Sequence, residues 1–263
     1  MKKQFNCLIL VSMLLAVTLG VQSQEKKEYP KQMGMKPEMT EWWDPQPERV
    51  TPGEANKNAF QSAPSDAIVL FDGKDLSKWQ NSEGKAAGWR VHDGVVTVDK
   101  SKGDIITKGE FKDFQLHLEW SVPKDITGSG QGRGNSGVYL HKLYEVQILE
   151  TYTQETYSNG SAGSIYKQSA PLVNPSRKPG EWNVYDIIFT APTFTKDGNY
   201  RTPPTVTVQF NGVLVQNHVA LQGTTEYIGL PRTVVQETGP ILLQSHADPS
   251  EPISFRNIWI REL

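Results

Sequence analysis

Asn-Ser-Gly-Val-Tyr-Leu-His-Lys-Leu-Tyr-Glu-Val-Gln-Ile-Leu-Glu, residues 135–150, is the stretch that decides the predicted fold. Because side chains alternate between the two faces of a β-strand, it predicts two short strands joined by a tight turn near Lys142 and Leu143. One face is apolar and consists of Val138, Leu140, Val146 and Ile148. The other face carries a hydroxyl, an imidazole, a carboxylate and an amide, from Tyr139, His141, Glu145 and Gln147. The apolar face predicts a core, and the polar face is the candidate site.

Short apolar or alternating runs on both sides of this hairpin predict further strands. They cover residues 67–71, 89–92, 95–99, 114–121, 182–190, 205–210, 213–219, 241–245 and 253–260. Asp93-Gly94 and Asn211-Gly212 supply the positive φ that tight hairpin turns require. No segment has a convincing helical period, so many short strands at hairpin spacing predict an all-β sandwich or barrel.

The N-terminus, residues 1–23, has the parts of a secretory signal: a lysine pair, an apolar run, and small residues before a cut after Ser23. We therefore expect a periplasmic or secreted protein. Cys7, the only cysteine, stands at the start of the apolar run, which argues against a lipoprotein and leaves no thiol in the mature chain. Loss of the lysine pair takes the formal net charge from −2 to −4, because this segment contains no acid. That charge argues against nucleic acid as a partner, and no second apolar stretch is long enough to span a membrane.

Residues 24–64 are polar and proline-rich, which predicts an extended leader before a domain at 65–263. Trp42 and Trp43 lie side by side in this leader. Since two adjacent tryptophans are unfavourable in water, we expect the leader to pack on the domain.

Two loops frame the central hairpin. The glycine-rich loop at 128–134 superficially resembles a phosphate-binding loop, but it opens a strand rather than a helix, so the match is weak. Within it, Arg133 could contact a substrate hydroxyl or keep the loop soluble, and the second interpretation is favoured. The long loop at 158–180 carries Tyr166 and Lys167, and long ordered loops are often functional.

Other polar and aromatic residues allow two interpretations. Trp182 lies on the face of its strand opposite the apolar row of Tyr185, Ile187 and Phe189. This position favours a sugar-stacking platform over a core position. His117 and Glu119 share one strand face, where a structural role is the simpler interpretation. Glu150 falls on the apolar row of its strand. Either the strand has ended before it, or its carboxylate is buried against a partner, because an unpaired buried charge is unfavourable. A metal site from His141, Glu145 and Glu150 fits by residue type, although no spacing is diagnostic.

Seven separated motifs occur in an order that matches a known family. They are Phe71–Trp79 (Phe-Asp-Gly-Lys-Asp-Leu-Ser-Lys-Trp), Asn135–Val138, Tyr144–Ile148, Gly180–Asn183, Phe210–Gly212, Gly239–Gln244 and Phe255–Ile258. On these motifs the chain resembles the 3-keto-disaccharide hydrolases, also described as 3-keto-glucoside-1,2-lyases and 3-keto-2-hydroxyglucal hydratases. The resemblance covers about residues 67–263 and implies a concanavalin-like jelly-roll of two curved antiparallel sheets.

The chemistry that the resemblance implies fits the polar row. A ketone at C3 of a sugar acidifies the hydrogen on C2, so one base can form an enediolate, eliminate the C1 substituent and let water add, with net hydrolysis. Expected roles are base for Glu145 or His141, enolate stabilisation for Gln147, Asn135, Lys167 or a divalent cation, and proton donation for His246 or Tyr166. Tyr139, Trp182 and Gln244 are expected to bind the substrate. The expected substrate is a glycoside or oligosaccharide oxidised at C3, which an oxidoreductase partner would supply.

Two other functions remain open at the level of sequence. A non-catalytic carbohydrate-binding sandwich would use the aromatic and amide side chains without needing Glu145 as a base. A conventional glycosidase needs a second carboxylate within about 5–10 Å of the first. Glu119 is the first candidate for that role. Gln147 occupies the place where laminarinase-type jelly-roll enzymes carry an acid, and this departure argues against a conventional retaining mechanism.

Overall fold

A computed structural model describes residues 34–54 and 62–263 of the chain. The predicted signal peptide and the leader segments 24–33 and 55–61 lie outside the described residues. Regular structure in the described part consists of seventeen strands and four short 3-10 helices. The strands are β1 (Glu48–Arg49), β2 (Ile68–Phe71), β3 (Trp79–Asn81), β4 (Arg90–His92), β5 (Val95–Thr97), β6 (Ile105–Thr107), β7 (Phe114–Ser121), β8 (Ser136–Leu140), β9 (Tyr144–Ile148), β10 (Val173–Asn174), β11 (Asn183–Thr190), β12 (Thr193–Phe194), β13 (Tyr200–Thr202), β14 (Thr205–Phe210), β15 (Val213–Ala220), β16 (Leu242–Leu243) and β17 (Ser254–Glu262). The 3-10 helices are Pro37–Thr40, Lys100–Lys102, Gly130–Gly132 and Ser158–Gly160.

The larger sheet has eight strands, all paired antiparallel. Seven follow the order β15-β14-β11-β7-β17-β5-β4, and β2 pairs with β17 on the edge that β5 also uses. β7 lies at its centre and alternates as the sequence predicts. Its inward row is fully buried and consists of Phe114, Leu116, Leu118 and Trp120.

The smaller sheet has five strands in the order β3-β6-β16-β8-β9, also antiparallel. β8 and β9 are the hairpin predicted from residues 135–150. β3 and β6 were not predicted, because each has only three residues and no alternation that stands out from its surroundings. The candidate site therefore lies on a sheet in which two of the five strands, β3 and β6, are not predicted by the sequence pattern.

The two sheets pack face to face around one core. Val138 and Val146 of the smaller sheet belong to the same buried cluster as Leu118 and Phe255 of the larger one. The hydroxyl of Tyr185, on β11, donates across the core to a backbone oxygen of β9 at 2.7 Å. The predicted all-β jelly-roll sandwich is confirmed.

The described part of the leader makes specific contacts with the domain. β1 pairs in parallel with β10, and the guanidinium of Arg49 lies 4.2 Å from the ring centre of Tyr152. The backbone N–H of Trp42 donates to the side chain of Asn159 at 3.0 Å, and the carbonyl of Trp42 accepts from Ser158. Within residues 34–54 and 62–263, no helix is long and apolar enough to cross a bilayer.

Candidate functional site

The polar face of the β8–β9 hairpin forms a compact cluster. Tyr139 and Glu145 stand directly opposite each other in the ladder, and the Tyr139 hydroxyl donates to Glu145 Oε2 at 2.8 Å. Gln147 follows Glu145 by two residues and shares its face, as the alternation predicts. The amide of Gln147 is 3.1 Å from Glu145 Oε1 and, with its nitrogen on that side, donates to the carboxyl group.

A glycine makes room for this carboxyl group. Gly137 faces Gln147 in the ladder, and a Cβ built at Gly137 would touch Glu145 Oε1 and lie 2.9 Å from its Cδ. Any larger residue would therefore displace the Glu145 side chain. The space that the Glu145 side chain occupies therefore explains why the Asn135–Val138 motif has a glycine at position 137.

The neighbouring strands extend the polar face. Leu242 pairs with Tyr139 on one side and with Ile106 on the other, and continuing this register places Gln244 level with Asp104. The Gln244 amide nitrogen is 3.3 Å from the Tyr139 hydroxyl. Its amide oxygen is buried and has no hydrogen-bond partner in the described part of the chain. We call Tyr139, Glu145, Gln147 and Gln244 the site cluster.

The electrostatics of Glu145 are unusual for a carboxylate. Glu145 is only 4% exposed, and no cationic side chain among the described residues pairs with its carboxyl group. Burial raises the pKa of Glu145 to about 8, the hydrogen bond from Tyr139 opposes that rise, and the charge of Asp104 adds to it. A carboxyl group with a pKa close to neutrality is suited to proton transfer.

A second layer of amides fixes Gln147. Gln131, from the glycine-rich loop, lies 2.9 Å from the Gln147 amide. The Asn135 amide donates to the backbone oxygen of Gln131 at 2.8 Å, so Asn135 contacts the cluster through Gln131. The loop that resembles a phosphate-binding loop thus supplies an amide to this site.

Tyr166 and Lys167 lie on the loop that runs beside β9. The backbone N–H of Tyr166 donates to the Glu145 carbonyl at 3.2 Å, and its hydroxyl is 2.6 Å from that of Tyr157. Burial raises the pKa of Tyr166 to about 12 although the hydrogen bond with Tyr157 opposes the shift. Lys167 is buried, and its ammonium group donates to two backbone carbonyls, so this cation is held at the edge of the site.

His246 lies two residues beyond Gln244, where β16 has ended. Its Nδ1 is 3.1 Å from Asp248 Oδ2, while its Nε2 makes no hydrogen bond to the described residues. Burial would raise the pKa of Asp248, but hydrogen bonds from His246, Ser250 and Lys100 outweigh it and hold the pKa at about 2. The histidine is therefore oriented by an ionised carboxylate.

His141 does not join this site, so the prediction that it shares the face of Glu145 is wrong. It begins the turn with φ of 53°, and this left-handed conformation ends the strand alternation before the residue. Its ring packs in the core 4.7 Å from the ring of Phe189, and its Nε2 lies 3.0 Å from the Lys112 carbonyl. Burial lowers the pKa of His141 and keeps it neutral.

Trp182 and Glu119 also lie elsewhere, which corrects the prediction that Trp182 binds the substrate and agrees with the structural interpretation of Glu119. Both are on the outer face of the larger sheet, where Arg256 contacts Glu119 at 2.6 Å and lies 4.1 Å from the Trp182 ring centre. His117 in the same group is 2.7 Å from Asp186, its partner across β11. We call His117, Glu119, Asp186 and Arg256 the ion-pair cluster. Glu119 therefore does not face Glu145 across a substrate site.

Arg133 is half-buried and forms an ion pair of 2.7 Å with the buried Glu150, so the interpretation of Arg133 as a solubilising residue is wrong. The Glu150 carboxylate also accepts the backbone N–H groups of Tyr152 and Thr153. Glu150, Glu145 and His141 thus occupy separate environments and do not form the predicted ligand set. Among the described residues, no group of three or more His, Cys, Asp or Glu side chains has the geometry of a metal site.

The site cluster combines one proton-transfer group with several neutral hydrogen-bond donors and acceptors. Such a set can remove a proton and stabilise an oxyanion. Sequence reasoning missed Asp104, which precedes the unpredicted β6, and Gln131 in the glycine loop. The alternation of the short run after Asp104 was too brief to signal its strand.

A family model described as a 3-keto-alpha-glucoside-1,2-lyase-like domain matches residues 66–261. A 3-keto-disaccharide hydrolase of Bacteroides thetaiotaomicron is 28% identical over 158 residues, 46% of this chain and 51% of the relative. The chain thus spans about half the length of that curated relative.

Solved structures give two further matches, both from Parabacteroides distasonis and both provisionally named glycosyl hydrolases. One is 65% identical with a TM-score of 0.78, covering 86% of this chain and 96% of its own. The other is 23% identical with a TM-score of 0.52, covering 75% and 94%, and it supports the fold alone.

Proposed function

Because this chain belongs to the 3-keto-alpha-glucoside-1,2-lyase-like family, we propose that it cleaves the glycosidic bond of sugars oxidised at C3. The observation that carries the proposal is Glu145, a buried carboxyl group with a pKa raised to about 8 and no paired cation among the described residues. The name of the 28% identical relative, a 3-keto-disaccharide hydrolase, indicates the substrate class. A glycoside-cleaving activity also agrees with the name of the 65% identical structure.

In the first step, the ionised Glu145 removes the proton from C2. The C2–H bond breaks, its electron pair moves toward the C3 ketone, and an enediolate forms. A carboxylate that is poorly solvated is a stronger base than one in water, so the raised pKa of Glu145 favours this transfer.

Neutral donors stabilise the enediolate. The amides of Gln147 and Gln244 lie beside Glu145 and Tyr139, and such preorganised groups act strongly where water is excluded. The unpartnered amide oxygen of Gln244 accepts a substrate hydroxyl, which would satisfy a buried polar atom. Asn135, behind Gln131, fixes the amide layer rather than the sugar.

In the second step, the electrons of the enediolate expel the substituent at C1. The C1–O bond breaks and the leaving oxygen takes a proton, for which we assign the doubly protonated form of His246, whose Nδ1–H points to Asp248 and whose Nε2–H is open to the substrate. Tyr166 is the weaker candidate, since its hydroxyl is engaged with Tyr157. Water then adds across C1 and C2, which returns a proton to C2 and gives net hydrolysis.

One observation favours the conventional glycosidase. The charge of Asp104 raises the pKa of Glu145, and a pair of carboxyl groups, one the acid and one the base, is what that mechanism uses. Against this role, the Asp104 carboxylate accepts the backbone N–H of Ser245 at 2.7 Å, which ties it to the next strand.

Two further parts of the proposal concern where the enzyme acts and whether it uses a metal ion. We infer export through residues 1–23, so the enzyme would act outside the cytoplasm on sugars that an oxidoreductase has oxidised at C3. A divalent cation at the enolate oxygen is an additional factor that chelation tests.

The test incubates the purified protein with a 3-keto-glucoside and with the same glucoside unoxidised, each with and without chelator, and measures aglycone release. We expect release from the ketone alone. Release from the plain glucoside would support the two-carboxylate mechanism instead. Binding of either sugar without release, unaffected by Glu145→Gln, would support a carbohydrate-binding module.

A further inference from the structure

Lys167 joins two surface segments at the edge of the site. Its ammonium group donates to the Pro37 carbonyl at 2.7 Å and to the Tyr227 carbonyl at 2.9 Å, and it lies 3.7 Å from the Glu41 carboxylate. Pro37 and Glu41 belong to the leader, and Tyr227 belongs to the loop between β15 and β16. One buried cation therefore fixes both segments relative to the domain.

Both segments are anchored close to Glu145. On the loop side, the Glu145 backbone N–H donates to the Thr225 hydroxyl at 2.9 Å, two residues before Tyr227. On the leader side, the path runs from Glu145 through Tyr166 to Tyr157, whose ring contacts that of Trp43 with 6.0 Å between centres. The leader and the loop thus each carry an aromatic ring at the edge of the site, Trp43 and Tyr227 respectively.

These rings are exposed although their backbones are fixed. Trp43 is 55% exposed and Tyr227 is 64% exposed, while the Lys167 ammonium group lies 5.0 Å from the Tyr227 ring centre. An aromatic side chain has only two χ angles to fix on binding, so it supplies a large contact area at a small cost in conformational freedom. Flat apolar rings of this kind are suited to the C–H faces of a pyranose.

We propose that Trp43 and Tyr227 form a subsite for the second sugar ring of a disaccharide-sized substrate. The inference rests on the proposed function, which places the oxidised ring at the site cluster. The aglycone ring would then extend outward over the aromatic rim. The leader becomes part of the binding site, and the domain alone would lack one wall of it.

The experiment compares two substrates, a 3-keto-disaccharide and methyl 3-keto-glucoside, which lacks the second ring. The measured quantity is the ratio of kcat/KM for the disaccharide to kcat/KM for the methyl glycoside. Trp43→Ala is expected to lower this ratio about three- to tenfold, the size of one aromatic contact. Tyr227→Ala should lower it similarly, because its backbone carbonyl still accepts from Lys167.

Trp42→Ala is the matched control. Trp42 is adjacent and 48% exposed, and its hydrogen bonds to the described part of the domain use backbone atoms that alanine keeps. We expect its ratio to equal that of the wild type. Circular dichroism of each variant checks that the fold is retained.

Three outcomes decide the matter. A ratio that falls in Trp43→Ala and Tyr227→Ala but not in Trp42→Ala supports the subsite. An unchanged ratio in Trp43→Ala and Tyr227→Ala overturns it while leaving the proposed function intact, because both substrates are still cleaved. If the wild type cleaves neither substrate, the proposed function fails, and the subsite inference fails with it.

Discussion

Two polar clusters lie on opposite outer faces of the sandwich, and each contains one buried glutamate in a different electrostatic environment. The ion-pair cluster on the larger sheet places Glu119 2.6 Å from Arg256 and His117 2.7 Å from Asp186. The site cluster on the smaller sheet places a phenol and an amide against Glu145, and a second amide against that phenol. One carboxylate has cations beside it, and the other has only neutral partners.

The pKa values follow this difference. Burial would raise the pKa of Glu119, but hydrogen bonds from His117, Asn257 and Arg256 outweigh it and lower the pKa. Burial likewise lowers the pKa of His117, yet Asp186 and Glu119 outweigh it and raise the pKa. At Glu145 the burial effect dominates because no cation opposes it. Buried carboxylates are thus stabilising or reactive according to whether their charge is compensated.

Replacing Glu145 should produce the largest change. We expect Glu145→Gln to lower kcat by about 10²–10⁴-fold, the usual contribution of a general base. It should also stabilise the fold. Because the pKa of Glu145 is about 8 against an ordinary 4.5, the folded state holds a proton that the unfolded state releases between these pH values. Stability from this residue therefore falls as the pH rises from 4.5 to 8, and the neutral amide should recover roughly 2–4 kcal/mol at pH 7.

Turnover of a 3-keto-glucoside and thermal unfolding at pH 7 measure both effects. A variant that keeps wild-type turnover would remove Glu145 from the mechanism. A variant that unfolds more easily than the wild type would contradict the account of an uncompensated buried carboxyl group.

The pH dependence of activity sharpens the comparison further. If Glu145 acts as a base, it must be ionised, so kcat/KM should fall about tenfold for each pH unit below its apparent pKa near 8. The measurement is kcat/KM for a 3-keto-glucoside between pH 6 and 9, with the far-ultraviolet circular dichroism recorded at each pH. A loss of activity above pH 8 instead would make Glu145 the acid, as the conventional glycosidase requires.

The ion-pair cluster should respond in the opposite way. Glu119→Gln leaves Arg256 with a weaker partner in a mostly buried place, so we expect a loss of about 1–3 kcal/mol of folding stability at pH 7. Turnover measured at a temperature where the variant is folded should match that of the wild type, because Glu119 lies on the other sheet. A drop in kcat comparable to that of Glu145→Gln would show that the two faces are functionally coupled.

The sequence predicted the half of the site that local alternation encodes. Tyr139, Glu145 and Gln147 lie within one hairpin, and a period of two residues is enough to place them on one face. Asp104 was missed because β6 is too short to show a period, and Gln131 because the glycine loop was judged only as a phosphate binder. His141 was misplaced because a turn residue with positive φ leaves the alternation.

The ion-pair cluster could not be read from the sequence in the same way. His117 and Asp186 are 69 residues apart and meet only through the register of β7 and β11. Strand order across a sheet is a tertiary property, which is why the sequence left open whether Glu119 faces Glu145 and why Trp182 was assigned to the substrate site. Arg133 and Glu150 likewise needed the loop geometry to reveal their pairing.

The smallest expected effect tests how the site cluster is tuned. Tyr139→Phe removes only the hydroxyl that donates to Glu145. Because that hydrogen bond opposes the rise in the pKa of Glu145, its loss should raise the pKa further and move the acidic limb of the kcat/KM profile to higher pH. At pH 7 activity should fall about three- to tenfold, the size of one hydrogen bond.

If Tyr139 only tunes the base, activity above the shifted limb returns to the wild-type plateau. A plateau that stays low would make Tyr139 a proton donor to the leaving oxygen in place of His246, and a limb that does not move would mean that burial alone sets the pKa of Glu145.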